Sequence, residues 1–409
     1  MNNENPTPFT PYQKFIIVLM ALLQFTIVLD FMILSPLGDI LMKSLDMTTV
    51  QFGSVVSAYA ISAGISGFLA AGFADKFDRK KLLVFFYTGF ILGTVFCGLA
   101  FNYETLLTAR IVTGLFGGVI GSISMAIVAD LFTLQQRGRV MGFVQMSFSG
   151  AQILGIPAGL FLATSFNWNA SFFMVVIVAS AVILLLLAKL KPVTAHLKLQ
   201  TTKSPLKHLW KTLIKREYLW GYFAIAFLSM GGFMIMPFSS AFLVNNVMIK
   251  QEELPLIFLF TGLSSMIIMP VIGKLSDKFK KFHLFAAGTI IACVMIVIYT
   301  NMGPNPVWLV TLINMILFMG IMSRMVPATA LNSAVPLPAD RGAYMSINSS
   351  LQQMAGGLAA TVAGLIIVQP EKGSPLQNFN VLGYCMLGLM FLCLFLVYKV
   401  SVQVSKKRN

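Results

Sequence analysis

Long apolar runs separated by short polar segments dominate this chain. Charged residues, prolines and glycines set the ends of twelve runs, each about the 20 residues that a helix needs to cross the roughly 30 Å hydrocarbon layer of a membrane. In the first half they cover roughly 14–38, 50–74, 82–101, 104–130, 139–164 and 170–190. In the second half they cover roughly 219–244, 254–273, 282–301, 306–330, 342–368 and 379–401. The pattern predicts an all-α membrane protein with twelve transmembrane helices.

The composition agrees with lipid as the main solvent. Of the 409 residues, 57% are hydrophobic and 11% are charged, whereas a soluble protein carries about 25% charged residues. The 29 basic and 14 acidic side chains cannot coat the surfaces of a soluble chain of this length. The four cysteines lie inside apolar runs, so we interpret them as small core residues rather than as a disulfide scaffold.

The basic residues predict the orientation of the helices. With the N-terminus inside, the outer loops hold only Lys43, Lys250 and Lys372, and two arginines lie within helices, which leaves 24 of the 29 basic residues on the inner side. Because short cytoplasmic loops are enriched in Lys and Arg, we expect a multi-pass protein of the plasma (inner) membrane with both termini cytoplasmic. Residues 1–10 lack a basic segment and a cleavage site, so no signal peptide is expected. The net charge of +15 is then a topology signal and requires no nucleic acid.

A basic polar stretch near the middle predicts three parts. We expect an N-terminal six-helix bundle over 1–190, a cytoplasmic basic linker over 191–218 and a C-terminal six-helix bundle over 219–409. Within the linker, residues 205–216 place leucines, Trp210 and Ile214 at helical spacing among lysines. Two readings stay open, a basic amphipathic helix lying on the inner leaflet or an ordinary solvated linker.

An internal repeat relates the two halves. Residues 75–77 have the sequence Asp-Lys-Phe, which recurs 202 residues later at 277–279. The pair Arg-Gly at 137–138 recurs 204 residues later at 341–342. Both matches fall in equivalent inner loops, so they indicate two related six-helix halves. Such duplication is typical of secondary transporters, which hold substrate between the halves near the middle of the bilayer.

Several motifs resemble those of the major facilitator superfamily. Residues 71–81 are similar to its loop 2–3 motif, with Ala71 and Asp78 where the motif has glycines. Residues 106–114 resemble its helix 4 motif, and 167–172 resemble an outer-loop motif. Residues 150–159 are similar to the antiporter motif of its drug:proton antiporters. The resemblance covers the whole chain and implies the twelve-helix fold of two pseudo-symmetric bundles, with efflux as the favoured activity.

Charged residues within the hydrocarbon are costly, so each is a functional candidate. Asp30 lies eight residues before Gly38, roughly 12 Å from the outer end of helix 1. Arg110 lies six residues past Glu104, roughly 9 Å from the same side. We expect Asp30 and Arg110 to face each other, with Asp30 exchanging a proton as substrate binds or leaves. The alternative is a static buried ion pair that only fixes packing.

Arg324 is the third embedded charge. Subtracting the repeat offset places it against Ile120 of helix 4, and its own sequence neighbourhood offers no acidic partner at that depth. It either binds an anionic group of the substrate or snorkels to the cytoplasmic headgroups. With Arg110 and Arg324 against Asp30, the cavity formally carries one positive charge, which leaves an anionic substrate open.

Two further sets of residues are assigned to movement. By resemblance, the inner-loop charges form a cytoplasmic gate that holds the inner side shut: Asp75, Arg79, Lys80, Arg137, Asp277 and Arg341. Helix 5 contains a predicted hinge at Gly155, Pro157 and Gly159, because proline removes a helix hydrogen bond.

Embedded polar residues predict the lining of a substrate cavity. They are Gln24, Tyr59, Gln145, Gln152, Asn314, Arg324, Asn348 and Gln352. Together with the proton pair they define the predicted transport site.

The predicted function is export of a small amphipathic or drug-like molecule by proton antiport with alternating access. The alternative is proton-coupled or facilitative uptake of a small organic anion or sugar, and a non-transporting sensor is a more distant one. An enzyme is not expected, because the three histidines lie in inner loops without ligand spacing and no nucleotide-binding loop is present in the sequence. The expected partners are the substrate, protons and the bilayer, with no cofactor, metal or nucleic acid, and the chain is expected to act as a monomer.

Overall fold

The computed structural model describes residues 9–70, 73–194, 197, 205–337 and 340–406. Eight helices form the N-terminal half: α1 Pro11–Met32, α2 Gly38–Ser44, α3 Thr49–Ala70, α4 Arg79–Gly98, α5 Tyr103–Leu131, α6 Leu134–Gly150, α7 Ile156–Ser165 and α8 Trp168–Lys189. The linker contains α9 Pro205–Leu213. Seven helices form the C-terminal half: α10 Leu219–Phe233, α11 Ser239–Asn245, α12 Leu254–Lys278, α13 Lys281–Thr300, α14 Val307–Asn332, α15 Arg341–Ile366 and α16 Phe379–Lys406.

Eleven helical segments of the described chain are long and apolar enough to cross a membrane. The remaining predicted run, 342–368, corresponds to α15, which has 26 residues but carries Asn348, Gln352 and Gln353 along its length. This helix packs along α3 of the other half through small residues. A Cβ atom at Gly364 would lie 2.6 Å from the carbonyl oxygen of Thr49, so the close approach of the two helices requires glycine there.

Local sequence signals explain where the helices begin. Thr10 caps α1 through a capping box with Gln13, and its side chain accepts a hydrogen bond from the Gln13 amide. Asn102 caps α5 through Thr105 in the same way. Asn167 caps α8, whose first residue is Trp168. These caps satisfy main-chain donors at helix ends that lie at the edge of the apolar layer.

The first helix of each half is broken near the end that lies opposite the start of α1 and the end of α16, which we call the outer end. After α1, the chain turns through Pro36 and continues as the short α2. After α10, a single 3-10 turn containing Pro237 precedes the short α11. Proline cannot donate the main-chain hydrogen bond that a continuous helix needs at that position. The two short outer helices pack against each other across the boundary between the halves.

The buried apolar clusters are shared between the halves mainly at one end. At the outer end, opposite the termini, a single apolar cluster draws on both halves, with Leu34 and Phe238 among its members. At the inner end, one cluster including Tyr87 lies within the N-terminal half. Another, including Tyr222, is built from the linker and the C-terminal half, with Phe68 of α3 packed against it. The two halves therefore share one apolar core at the outer end and have largely separate cores at the inner end.

Candidate functional site

A buried ion pair lies inside the N-terminal half. Nη1 of Arg110 in α5 donates a hydrogen bond to Oδ2 of Asp30 in α1 at 2.7 Å. The same nitrogen lies 3.4 Å from the main-chain oxygen of Asp30. Both side chains have 0% exposure. The structure therefore brings together the two residues whose depths the sequence matched.

Two neighbouring helices, α4 and α3, complete the surroundings of the pair. Thr94 of α4 donates from Oγ1 to Oδ1 of Asp30 at 3.2 Å. The guanidinium carbon of Arg110 lies 4.4 Å from the centre of the Tyr59 ring in α3, which gives a cation–π contact. Nε and Nη2 of Arg110 have no hydrogen-bond partner among the described residues. Arg110 thus holds more donors than its present partners use.

The chemistry of the pair is asymmetric. An arginine guanidinium stays charged in proteins, so Asp30 is the member that can exchange a proton. Protonating Asp30 would leave the positive charge of Arg110 without its counter-charge in a dry interior, which is costly. A change of conformation that alters the distance or hydration between the two groups therefore changes the proton affinity of Asp30.

Aromatic side chains from both halves meet near this pair. The ring centre of Phe31 lies 5.4 Å from that of Tyr59 in its own half and 5.5 Å from that of Phe233 in the other half. Phe31 directly follows Asp30, so the aromatic contact joins the ion pair to the boundary between the halves. Sequence reasoning missed Phe31 and Phe233, because a phenylalanine in an apolar run carries no signal of such a contact.

A small cavity of about 20 Å³ lies next to this boundary and has room for about one water molecule. Both halves contribute to its lining, which includes Ser35, Gln152, Met236 and Thr261. A substrate of several carbon atoms does not fit there.

The predicted hinge coincides with an irregular helix. Residues Ala151–Gly155 form a π-helical turn between α6 and α7, and Pro157 is the second residue of α7. Proline removes one main-chain donor from this stretch, and π-helical turns occur frequently at functional sites. The main chain of Gln152 in this turn packs against Gly262 in α12. A Cβ atom added to Gly262 would lie 3.2 Å from the carbonyl group of Gln152. Movement of this helix remains a prediction.

The polar residues assigned to the cavity differ in accessibility. Five are buried: Tyr59, Gln152, Asn314, Arg324 and Asn348. Gln24 and Gln352 are half-buried, and Gln145 is exposed. Nδ2 of Asn314 and both polar atoms of the Asn348 side chain have no hydrogen-bond partner among the described residues. In this conformation the accessible members of the set are the three glutamines Gln24, Gln145 and Gln352.

Arg324 lies inside the C-terminal half. Its guanidinium carbon is 5.2 Å from the centre of the Phe285 ring in α13. Nη1 of Arg324 lies close to Gly231 in α10, since a Cβ atom added to that glycine would be 3.9 Å from it. The residue is 1% exposed, and Nε and Nη2 have no hydrogen-bond partner in the described chain. This burial is inconsistent with snorkelling to the headgroups, and it places the positive charge within one half rather than on an open cavity wall.

A polar network closes the outer end of the molecule. Asp39 of α2 is buried and accepts hydrogen bonds from Nζ of Lys43 at 2.8 Å, Nδ2 of Asn245 at 2.6 Å and Nε2 of Gln251 at 2.7 Å. Asn245 and Gln251 belong to the other half. Ser35 and Met236 add a further hydrogen bond across the boundary. In the sequence, Asp39 falls in the outer loop between the first two predicted helices. Pro36 and Gly38 just before it indicate that the first helix is interrupted there.

The predicted cytoplasmic gate has its described contacts within one half. Nε of Arg79 lies 3.4 Å from Oδ2 of Asp130, and Nζ of Lys80 donates to the carbonyl oxygen of Leu187 at 3.1 Å. Arg137 donates to the carbonyl oxygens of Ala129 and Phe132. Arg341 is exposed at the start of α15. The side chains of Asp75 and Asp277 lie outside the described part of the chain, so the gate stays a prediction.

Asp340, which sequence reasoning did not single out, ties the linker to the C-terminal half. Its carboxylate accepts hydrogen bonds from Lys215 and, at 2.7 Å, from the hydroxyl of Tyr218. His208 of α9 lies 3.6 Å from the other carboxylate oxygen. The hydrogen bonds from Lys215 and then from Tyr218 lower the pKa of Asp340. The carboxylate is therefore charged at neutral pH and holds α9 in place.

This fold and site define a secondary transporter, and the chain belongs to the Major Facilitator Superfamily, which matches residues 20–361. An uncharacterised MFS-type transporter of Bacillus subtilis (strain 168) is 22% identical over 86% of this chain and 88% of its own. A protein of Helicobacter pylori (strain ATCC 700392 / 26695) named a probable sugar efflux transporter is 24% identical over 70% of this chain and 73% of its own.

Solved structures share the fold at low identity. A D-xylose–proton symporter has 17% sequence identity and a TM-score of 0.76, covering 94% of this chain and 97% of that one. A bacterial homologue of the human lysosomal transporter Spinster, in an inward-facing and unoccupied conformation, has 14% identity and a TM-score of 0.73, covering 98% and 99%. The predicted major facilitator fold is confirmed.

Proposed function

We propose that this protein exports a small amphipathic or drug-like molecule in exchange for protons. The observation that carries the proposal is the buried contact between Asp30 and Arg110, in which one member can take up a proton and the other cannot. The contact lies beside Phe31, which reaches the opposite half through Phe233. Rearrangement of the halves can therefore reach the proton-exchanging group directly.

The charge of the site bears on the substrate. Asp30 and Arg110 cancel each other, and Arg324 is enclosed within the C-terminal half. The position of Arg324 therefore gives no support to a single positive charge facing the cavity, the feature that left an anionic substrate open. Apolar and aromatic surface with a few amide groups suits a neutral or amphipathic molecule instead.

Sugar export is a second candidate. It is supported by the Helicobacter relatives named probable sugar efflux transporters. It is also supported by Gln24 and Gln352, whose half-buried amides offer donors and acceptors to hydroxyl groups. Both candidates share the exporting direction and differ in the polarity of the molecule carried.

Transport in proteoliposomes with an imposed pH gradient tests these proposals. A panel of lipophilic cations, neutral amphipathic compounds, sugars and organic anions is offered in turn. Movement of a compound against the proton flow is expected. Movement with the proton flow would overturn export in favour of uptake, and transport that ignores the gradient would remove proton coupling. Sugars moving while amphipathic compounds do not would select the second candidate.

A further inference from the structure

Helix α9 of the linker divides its residues between two opposite faces. At about 100° per residue, Leu209 and Thr212 fall on one side, and both are buried. Lys207, Trp210 and Lys211 fall on the other side and are exposed. Ile214 continues this side, since its amide donates to the carbonyl oxygen of Trp210 at 3.2 Å.

The outward side is apolar at its centre and basic at its edge. Trp210 is 60% exposed and Ile214 is 62% exposed. Two lysines, Lys207 and Lys211, lie one helical turn apart beside them. A helix surrounded by water gains nothing by exposing a tryptophan and an isoleucine side by side. A helix lying in the headgroup region buries such a pair while its lysines contact lipid phosphates.

Contacts with the C-terminal half hold α9 at the level of the membrane boundary. The hydroxyl of Tyr222, in the first turn of α10, donates to the carbonyl oxygen of Thr212 at 3.2 Å. Leu219 and Trp220 at the start of α10 are exposed, and tryptophan is enriched at the membrane–water interface. Since α10 begins a membrane-crossing segment, the outward side of α9 lies where that segment leaves the hydrocarbon.

We propose that this outward side, made of Lys207, Trp210, Lys211 and Ile214, binds anionic lipid headgroups of the adjacent leaflet. The lysines contact the headgroup phosphates, and the two apolar side chains enter the boundary between headgroups and acyl chains. The anchoring of α9 through Asp340 keeps this side fixed relative to the C-terminal half. The site is separate from the transport path and does not depend on the substrate or on proton coupling.

Trp210 provides a direct probe of this contact. Replacing Trp168, Trp220 and Trp308 with phenylalanine leaves it as the single tryptophan. The full-length variant is reconstituted into brominated phosphatidylcholine vesicles and into an equal mixture with brominated phosphatidylglycerol. Bromine quenches tryptophan on contact, so quenching and a blue-shifted emission are expected, and both should be stronger in the anionic mixture.

Charge variants then test the role of the lysines. Each lysine near an anionic surface contributes a roughly fivefold preference, so K207Q/K211Q should lose most of the added quenching. The matched control K278Q/K280Q removes two exposed lysines at the same end of the molecule, and the added quenching in the anionic mixture should persist in it. Equal quenching in the two lipids, equal behaviour of the two double variants, or emission typical of water in both lipids would overturn the proposal.

Discussion

Replacing Asp30 with asparagine is the sharpest perturbation of the proposed coupling site. The new side chain has nearly the same shape but carries no charge, so Arg110 remains buried with 0% exposure and no counter-charge. Removing one partner of a buried ion pair costs about 3–5 kcal/mol. We therefore expect D30N to lower the stability of the purified protein strongly, and loss of transport by that variant alone would be ambiguous.

The double variant D30N/R110Q removes both charges and resolves that ambiguity. A neutral pair leaves no uncompensated charge, so most of the lost stability should return. Proton coupling should stay absent, because no titratable group occupies the position of Asp30. Exchange of labelled for unlabelled substrate moves no net proton and should therefore continue.

Thermal unfolding measures the stability of each variant, and transport in proteoliposomes measures its proton coupling. D46N is the matched control, since Asp46 is 79% exposed, pairs with Lys372 at 2.7 Å and has a positive φ of 52° that asparagine tolerates. It should retain both stability and pH-driven transport. If D30N/R110Q regains stability and still responds to a pH gradient as the native protein does, Asp30 serves packing only and the coupling argument fails.

Three further substitutions test the closed outer end and the linker. D39A removes the acceptor of hydrogen bonds worth about 1.5–3 kcal/mol each and should loosen the outer end. In an otherwise cysteine-free chain, a reporter cysteine introduced by S240C should then react at least about tenfold faster with an impermeant maleimide. Unchanged labelling would mean that apolar packing alone closes this end. G364A should destabilise the protein by about 1–3 kcal/mol in thermal unfolding, whereas G388A, where a Cβ would meet open space, should not. D340N should speed amide hydrogen exchange in α9 at neutral pH. Because the pKa of Asp340 is lowered by folding, the native contact should weaken in the same assay only as the pH falls below about 4.

The sequence predicted most of the helices because lipid imposes a simple rule on length and polarity. It also predicted that Asp30 and Arg110 lie at one depth, since residue counts from the outer loops convert directly into distance. The direction in which each side chain points was harder to derive. Helices that are apolar on all sides show no preferred face, so the rotation of α14, and with it the burial of Arg324 inside one half, follows from packing alone.

Contacts between the halves were the least predictable part. Asp39 and Asn245 are 206 residues apart, and no local sequence pattern encodes how the two halves dock. The same reason explains why Phe31 and Phe233 were missed. Asp340 carries no signal in the sequence, because its partners Lys215 and Tyr218 lie more than a hundred residues earlier.

The aromatic contact has a geometric consequence for the route of the substrate. Phe31 and Phe233 are 202 residues apart, and Ser35 and Met236 are 201 apart, nearly the spacing at which the loop motifs repeat. Both are therefore pairs of nearly equivalent positions, and both pairs touch. Equivalent residues can meet only on the pseudo-two-fold axis that relates the halves. These two contacts mark successive points on that axis, so a molecule that crosses between the halves along it must first part Phe31 from Phe233 and then Ser35 from Met236.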